Sequence, residues 1–228
     1  MTAIMCGRFT LTSDANAIQD QFNLDHLMPL EPRYNIAPSE NVLAIRRSSE
    51  NKLEGVMLHW GLIPFWAKDK KISHSLINAR AETVADKPAF RNAFKTHRCI
   101  VIMNGFFEWK RDNSAKKPFY FKSKNDGLLA VAALWDEWKG TDEECIQSCC
   151  LITTDANQLM QPIHERMPVL LDDNHQQAWL NTSTFDKHSL QNLLKPCNTP
   201  TLSYYPVLPL VNNARYKSAD VIHKIEKE

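Results

Sequence analysis

Nowhere in its 228 residues does the chain carry an apolar run approaching the ~18 residues that a membrane-spanning helix needs. Its N-terminus also lacks the basic and apolar regions of a secretory signal. Both absences predict a cytoplasmic protein with no membrane partner. The six cysteines (Cys6, Cys99, Cys145, Cys149, Cys150 and Cys197) include no CxxC pair, and no histidine cluster has zinc-finger spacing. A structural metal is therefore not expected, and neither is a disulfide framework in a reducing compartment. Cys99, in the apolar run CIVIM, and Cys149 and Cys150, beside LIT, read as core residues. Charge of one sign is lacking too: 27 Lys and Arg against 26 Asp and Glu leave a formal net charge of +1. The strongly basic balance of many nucleic-acid binders is absent. A local basic groove is still compatible with neutrality, because phosphate contacts are made locally. There are no repeats, no low-complexity tract and no shift in composition that would mark a linker, so residues 1–228 read as a single compact domain.

What is present is ordinary globular material: 43% hydrophobic and 23% charged residues, enough to bury a sizeable core. A helix is expected from the Ser13-Asp14 cap, with Ile18 and Phe22 on one face. The Pro-bounded EPRYNIAPSE (31–40) reads as a loop. NVLAIRR (41–47) and VMLHWGLIPFW (56–66) read as strands around a turn at Asn51 to Gly55. Four more strand-like runs follow at 98–111, 117–123, 128–138 and 145–154, then helices at 173–180 and about 185–194, and a last strand at LSYYPV. Many strands without regular βαβ alternation exclude a Rossmann-type sheet. The expected class is α+β, with largely antiparallel, barrel-like sheets and flanking helices.

Several polar residues stand out against this background. In GFFEW, Glu108 lies between bulky aromatics, and loss of solvation there raises a carboxyl pKa toward the range useful for proton transfer. In INARAET, the Asn78 amide is suited to stabilising an oxyanion and Arg80 to gripping phosphate. His164, in QPIHERMPVLL, becomes an acid–base candidate only where it meets the thiol or the glutamate in space. His74 is the other histidine of interest. Each also has a plain reading: an exposed strand Glu, a turn Asn, a solvated Arg, a loop His. Arg8, Arg33, Trp60, Trp66, Lys68, Lys70, Lys71 and Arg80 interleave cations with aromatics, a composition suited to single-stranded nucleic acid. For Trp60 and the lysines, core packing and a solvated run are at least as natural. Finally, Met5 stands directly before Cys6. If the mature chain began at Cys6, a free amine and a free thiol would share one carbon; otherwise Cys6 is a packing residue.

Taken in order, MCGRF, RYNIAP, WGLIPFW, INARAET, RCIVIMNGFFEW, ITTDAN, IHERMPVLL and VNNAR resemble the SOS-response-associated peptidase family of abasic-site processing proteins. The likeness runs from Cys6 to about Arg215. It implies catalytic roles for Cys6, Asn78, Glu108 and His164, and DNA contacts at Arg8, Arg80 and Trp66. It also implies a single-stranded DNA partner containing an abasic site, a covalent crosslink to it, an autopeptidase that exposes Cys6, a possible lyase activity, and a nucleoid-associated monomer without cofactor or metal. Two departures stand out. Residues 1–5 precede Cys6 as a possible leader, and Asn104 stands where the family commonly has Asp.

The expected chemistry follows from the functional groups. The Cys6 amine, with a reference pKa of about 7.7–8.0, attacks the aldehyde of an opened deoxyribose. The carbinolamine loses water to an imine, and the thiol closes a five-membered thiazolidine, aided by proximity. Two alternatives come from other classes: a non-covalent single-strand-binding module, and a cysteine peptidase acting on other proteins.

Overall fold

The computed structural model describes residues 6–112, 115–141, 144–197 and 201–225. The expected leader, residues 1–5, lies outside them. Among the described residues the chain forms β1 (Phe9–Leu11), α1 (Ala15–Phe22), β2 (Arg33–Ile36), β3 (Asn41–Arg47), β4 (Leu53–Trp60) and β5 (Asn78–Arg80). Next come α2 (Arg91–Thr96), β6 (Arg98–Met103), β7 (Gly105–Asp112), β8 (Ala115–Ser123), β9 (Leu129–Lys139) and β10 (Cys145–Asp155). The last elements are β11 (Arg166–Pro168), α3 (Asp173–Leu180), α4 (Lys187–Asn192) and β12 (Leu202–Pro206).

Two sheets result. One has the order β12-β8-β7-β1-β2. In the other, β10, β4, β3, β6 and β9 pair in turn and β9 pairs back to β10, closing a five-stranded barrel with no open edge. The α+β, barrel-like expectation is met, and most pairings are antiparallel; β4 and β5 run parallel to β10. The run CIVIM supplies the barrel wall: every residue of β6 is buried. One continuous apolar core links the barrel to Phe9, Phe106 and Phe121 of the other sheet.

Local chemistry sets the boundaries. Asp14 caps α1 by accepting the Ala17 N–H, and Asn23 ends it in the left-handed region with φ 50°. Ile18 and Phe22 are its buried face, as their spacing predicts. Asp172 caps α3 in the same way.

Four expectations need correction. The stretch 31–40 is not all loop: Arg33–Ile36 pairs with β1, because Tyr34 and the β-branched Ile36 favour an extended sheet edge after Pro32. The strand expected through 66 stops at Trp60. Gly61 turns with φ 137°, where a Cβ would meet the Ser73 carbonyl at 2.8 Å, so only glycine fits. The run 98–111 is two strands broken at Asn104. The last helix begins at Lys187, not Phe185, because Asp186 supplies the cap. Helix α2, with its Phe90 N-cap making no side-chain bond, carries no sequence signal and was not expected.

Candidate functional site

Residues Phe106 and Phe107 place Glu108. On β7, Phe106 faces the main core, while Phe107 faces a second cluster formed with Tyr120, Val207, Val211 and Val221. Both faces of the strand are therefore covered, and Glu108 is only 2% exposed. The half-open sheet that would have left a Glu in solvent does not exist here. Burial pushes the Glu108 carboxyl up to about 7, against backbone hydrogen bonds from Cys6 and Trp109 that pull it down.

Cys6 reaches this carboxyl through strand pairing. β1 pairs with β7, and just ahead of it the Arg8 carbonyl accepts the Phe107 N–H at 2.9 Å. Two residues earlier, the Cys6 N–H donates to Glu108 Oε1 at 2.6 Å. Cys6 itself is 1% exposed, and burial, then the nearby Glu108 charge, raises its thiol well above the usual range. The sulfur is thus a thiol, not a thiolate. Its backbone has φ 39°, an unfavourable conformation for a residue with a Cβ.

Asn78, Arg80 and His164 lie along the C-terminal half of β10; Arg8 and Trp66 do not. β5 pairs with Leu151, Ile152 and Thr153 on one side, which sets Asn78 and Arg80 on a common face of that edge. β11 pairs with Thr153, Thr154 and Asp155 on the other side. His164 sits two residues before β11, half-buried, and its Nδ1 accepts the Arg166 N–H at 3.1 Å. That bond fixes the neutral ring as the Nε2–H tautomer. Asn78 is half-buried and in a strand rather than a turn; Arg80 is exposed. Arg8 is half-buried, its pKa lowered by burial against the opposing field of Glu40. Trp66 is 48% exposed on the loop after Gly61, and Phe65 beside it is 55% exposed.

Other expected residues are accounted for differently. Trp60 is core, 0% exposed, with its indole N–H on the Ile77 carbonyl. Arg33 pairs with Glu40, Lys70 with Glu144 and Lys71 with Asp69. His74 is exposed at the end of the 3₁₀ turn Lys70–Ser75. Asn104 is not in the site: its Oδ1 accepts the N–H groups of Thr12 and Ser13, and its Nδ2 donates to Ser13 Oγ. The described residues hold no group of three or more potential metal ligands.

One residue went unread in the sequence. Arg166 is buried and forked onto both Glu82 carboxylate oxygens, at 2.6 and 2.9 Å, as well as Asp155 and the Thr153 carbonyl. It ties Glu82 after β5, Thr153 and Asp155 of β10 and the start of β11 into one unit. Only its position two residues after His164 hinted at this.

The family model described as SOS response associated peptidase (SRAP) matches residues 5–214. The chain belongs to this family. Among SRAP relatives, the abasic site processing protein YoqW of Bacillus subtilis is 44% identical over 222 residues, covering 96% of this chain and 99% of that protein. The abasic site processing protein HMCES of Xenopus tropicalis is 31% identical, covering 86% of this chain and 67% of that protein. A solved protein from Bacteroides thetaiotaomicron superposes with a TM-score of 0.88 at 26% identity, covering 97% of this chain and all of that one. The SRAP match begins at Met5, the residue before the buried cysteine. No helix among the described residues is long and apolar enough to cross a membrane.

Proposed function

We propose that this chain recognises abasic sites in single-stranded DNA and captures them covalently through Cys6 once residues 1–5 are gone. The observation that carries the reading is the buried contact between Cys6 N and Glu108 Oε1 at 2.6 Å. Cleavage before Cys6 leaves an α-amine against a carboxyl whose pKa, about 7 in this structure, lies within about a unit of an ordinary α-amine. Proton exchange between the two then costs little at neutral pH. The amine nitrogen adds to the C1′ carbonyl carbon of the opened sugar. Glu108 protonates the carbinolamine hydroxyl, which leaves as water. The Cys6 sulfur adds to the imine carbon while its proton passes to the imine nitrogen, closing the thiazolidine. Because the thiol is held protonated by burial, the amine is the first nucleophile and sulfur the second. His164 assists ring opening and reversal, and Asn78 steadies the developing alkoxide. Arg8 and Arg80 hold flanking phosphates, and Trp66 packs on a base. No cofactor is required, and one chain suffices.

The same groups fit removal of the leader. Cys6 S–H adds across the Met5 carbonyl, its proton passing to the carbonyl oxygen; the Cys6 nitrogen then leaves with a proton from Glu108, which takes one back from the hydroxyl, and water hydrolyses the thioester. The left-handed φ of Cys6 favours this reading, since scission releases that strain.

The test compares the full chain with a chain beginning at Cys6, each incubated with an abasic single-stranded oligonucleotide and resolved on denaturing gels. Intact mass is recorded before and after incubation. A stable adduct is expected only from molecules that begin at Cys6. Full crosslinking by molecules that retain Met1 would overturn the aminothiol mechanism.

A further inference from the structure

The loop that displays Phe65 and Trp66 is bolted down by buried polar groups that the chemistry above does not use. Asp136 on β9 and Ser148 on β10 stand directly opposite each other in the sheet. Both are buried, Asp136 at 3% and Ser148 at 0% exposure. Each grips one backbone N–H of the loop: Ser148 Oγ accepts from Ile63 at 2.8 Å, and Asp136 Oδ2 accepts from Phe65 at 3.0 Å. Two residues along β9, the Trp138 indole donates to the Ala67 carbonyl at 2.7 Å. Ile63 and Ala67 then pack with Trp138 in a small apolar cluster of their own. The loop is thus held at residues 63, 65 and 67, while the side chains of Phe65 and Trp66 project into solvent.

A buried carboxylate is expensive to keep. Asp136 has no Lys or Arg partner within salt-bridge reach among the described residues; its charge is met by the N–H groups of Phe65 and Glu137, with His97 Nδ1 at 3.7 Å. Burial raises its pKa despite those bonds. A neutral apolar residue would pack the same space at lower cost. What the carboxylate alone supplies is a directional acceptor for Phe65 N–H at the base of an exposed aromatic pair. We infer that Asp136 and Ser148 are positioning residues, which hold Phe65 and Trp66 as a preorganised platform for unpaired nucleobases. The inference rests on the proposed single-strand binding and names the part of the fold that stiffens it. A platform ordered before binding loses less entropy on meeting a base, so its worth appears in affinity rather than in the bond-forming rate.

The experiment is a mutant cycle read by two assays. Affinity is measured with a single strand carrying a tetrahydrofuran abasic analogue, which has no aldehyde and cannot crosslink. The crosslinking rate is measured at saturating aldehyde-bearing DNA. Asp136→Ala and Ser148→Ala are each expected to weaken affinity roughly ten-fold and to leave the saturating rate within about two-fold. Asp136→Asn, which keeps an acceptor oxygen, is expected to recover most of the affinity. In a Phe65→Ala/Trp66→Ala background, removing Asp136 or Ser148 is expected to cost nothing further. Parent-like affinity in a folded Asp136→Ala or Ser148→Ala variant overturns the inference. So does a loss that persists undiminished without the aromatics. If Asp136→Ala does not fold, Ser148→Ala decides. Unchanged affinity in Phe65→Ala/Trp66→Ala would instead remove base stacking from the proposed function. A chain starting at Cys6 that binds but never crosslinks would remove the covalent step and leave the cycle readable.

Discussion

At the scale of single residues, Glu108 carries two consequences of one burial. If Glu108 carries the proton as proposed, Glu108→Gln slows crosslinking by ~10²-fold, the low end for general acid–base catalysis, with DNA affinity nearly intact. A parent-like time course would move the proton transfer to His164. The second consequence concerns stability of the unprocessed chain. The folded carboxyl titrates at about 7, above its unfolded value of roughly 4.3. Below the unfolded pKa the group is neutral in both states and costs nothing. As pH rises toward 7 the unfolded chain ionises first, so stability falls, by ~4 kcal/mol in all. Glu108→Gln should therefore gain thermal stability over the parent from pH 5 to about pH 7 and hold that gap above it. A gap that stays constant across that range would mean the carboxyl is solvated. Glu108 was legible in the sequence because its aromatic neighbours are adjacent in the chain. Asp136 and Arg166 were not, since what makes them important is a partner about 70 or 80 positions away.

At the scale of elements, β6 and β7 show where sequence reading succeeds and fails. Continuous apolar and aromatic residues mark the strands from 98 to 111, but nothing local announces a break at Asn104. The break exists because Asn104 turns its amide onto Thr12 and Ser13, fastening β1 and the cap of α1 to the β6–β7 corner. The same geometry also suits an aspartate at this position. An Asp accepts the same two N–H bonds, and the Ser13 hydroxyl can rotate to donate the third. Asn104→Asp is therefore expected to melt within a few degrees of the parent. Asn104→Leu leaves the two half-buried N–H groups of Thr12 and Ser13 unmatched and is expected to cost about 1 kcal/mol per group, the low end for an unmade bond. Equal melting of both variants would dismiss the corner as a fastening. Strand β2 and helix α2 escaped for the complementary reason: each is short, and tertiary packing rather than propensity holds it.

At the scale of the whole molecule, the last segment closes the face of β7 and β8 that the barrel does not cover. Asn35 donates to the carbonyls of Val211, Asn213 and Tyr216, Lys217 bonds the Asn35 carbonyl, and Val211 and Val221 pack on Phe107 and Tyr120. The family match ends at residue 214, but this packing continues past it. Truncation after Ala214 should lower Tm by on the order of 10 °C, from the lost apolar burial alone. An unchanged Tm would show that residues 216–222 only lie on the surface. The same long-range architecture sets a clock on Cys6. Its partner Glu108 lies 102 positions downstream. At ~5–20 residues per second, a ribosome needs roughly 5–20 s to travel from one to the other. For that interval Cys6 has no carboxylate beside it and no sheet around it, so a chain whose synthesis starts at Met5 offers an aminopeptidase at the ribosome an open substrate. Once β7 docks, Cys6 is buried, and only the protein's own groups remain within reach of it.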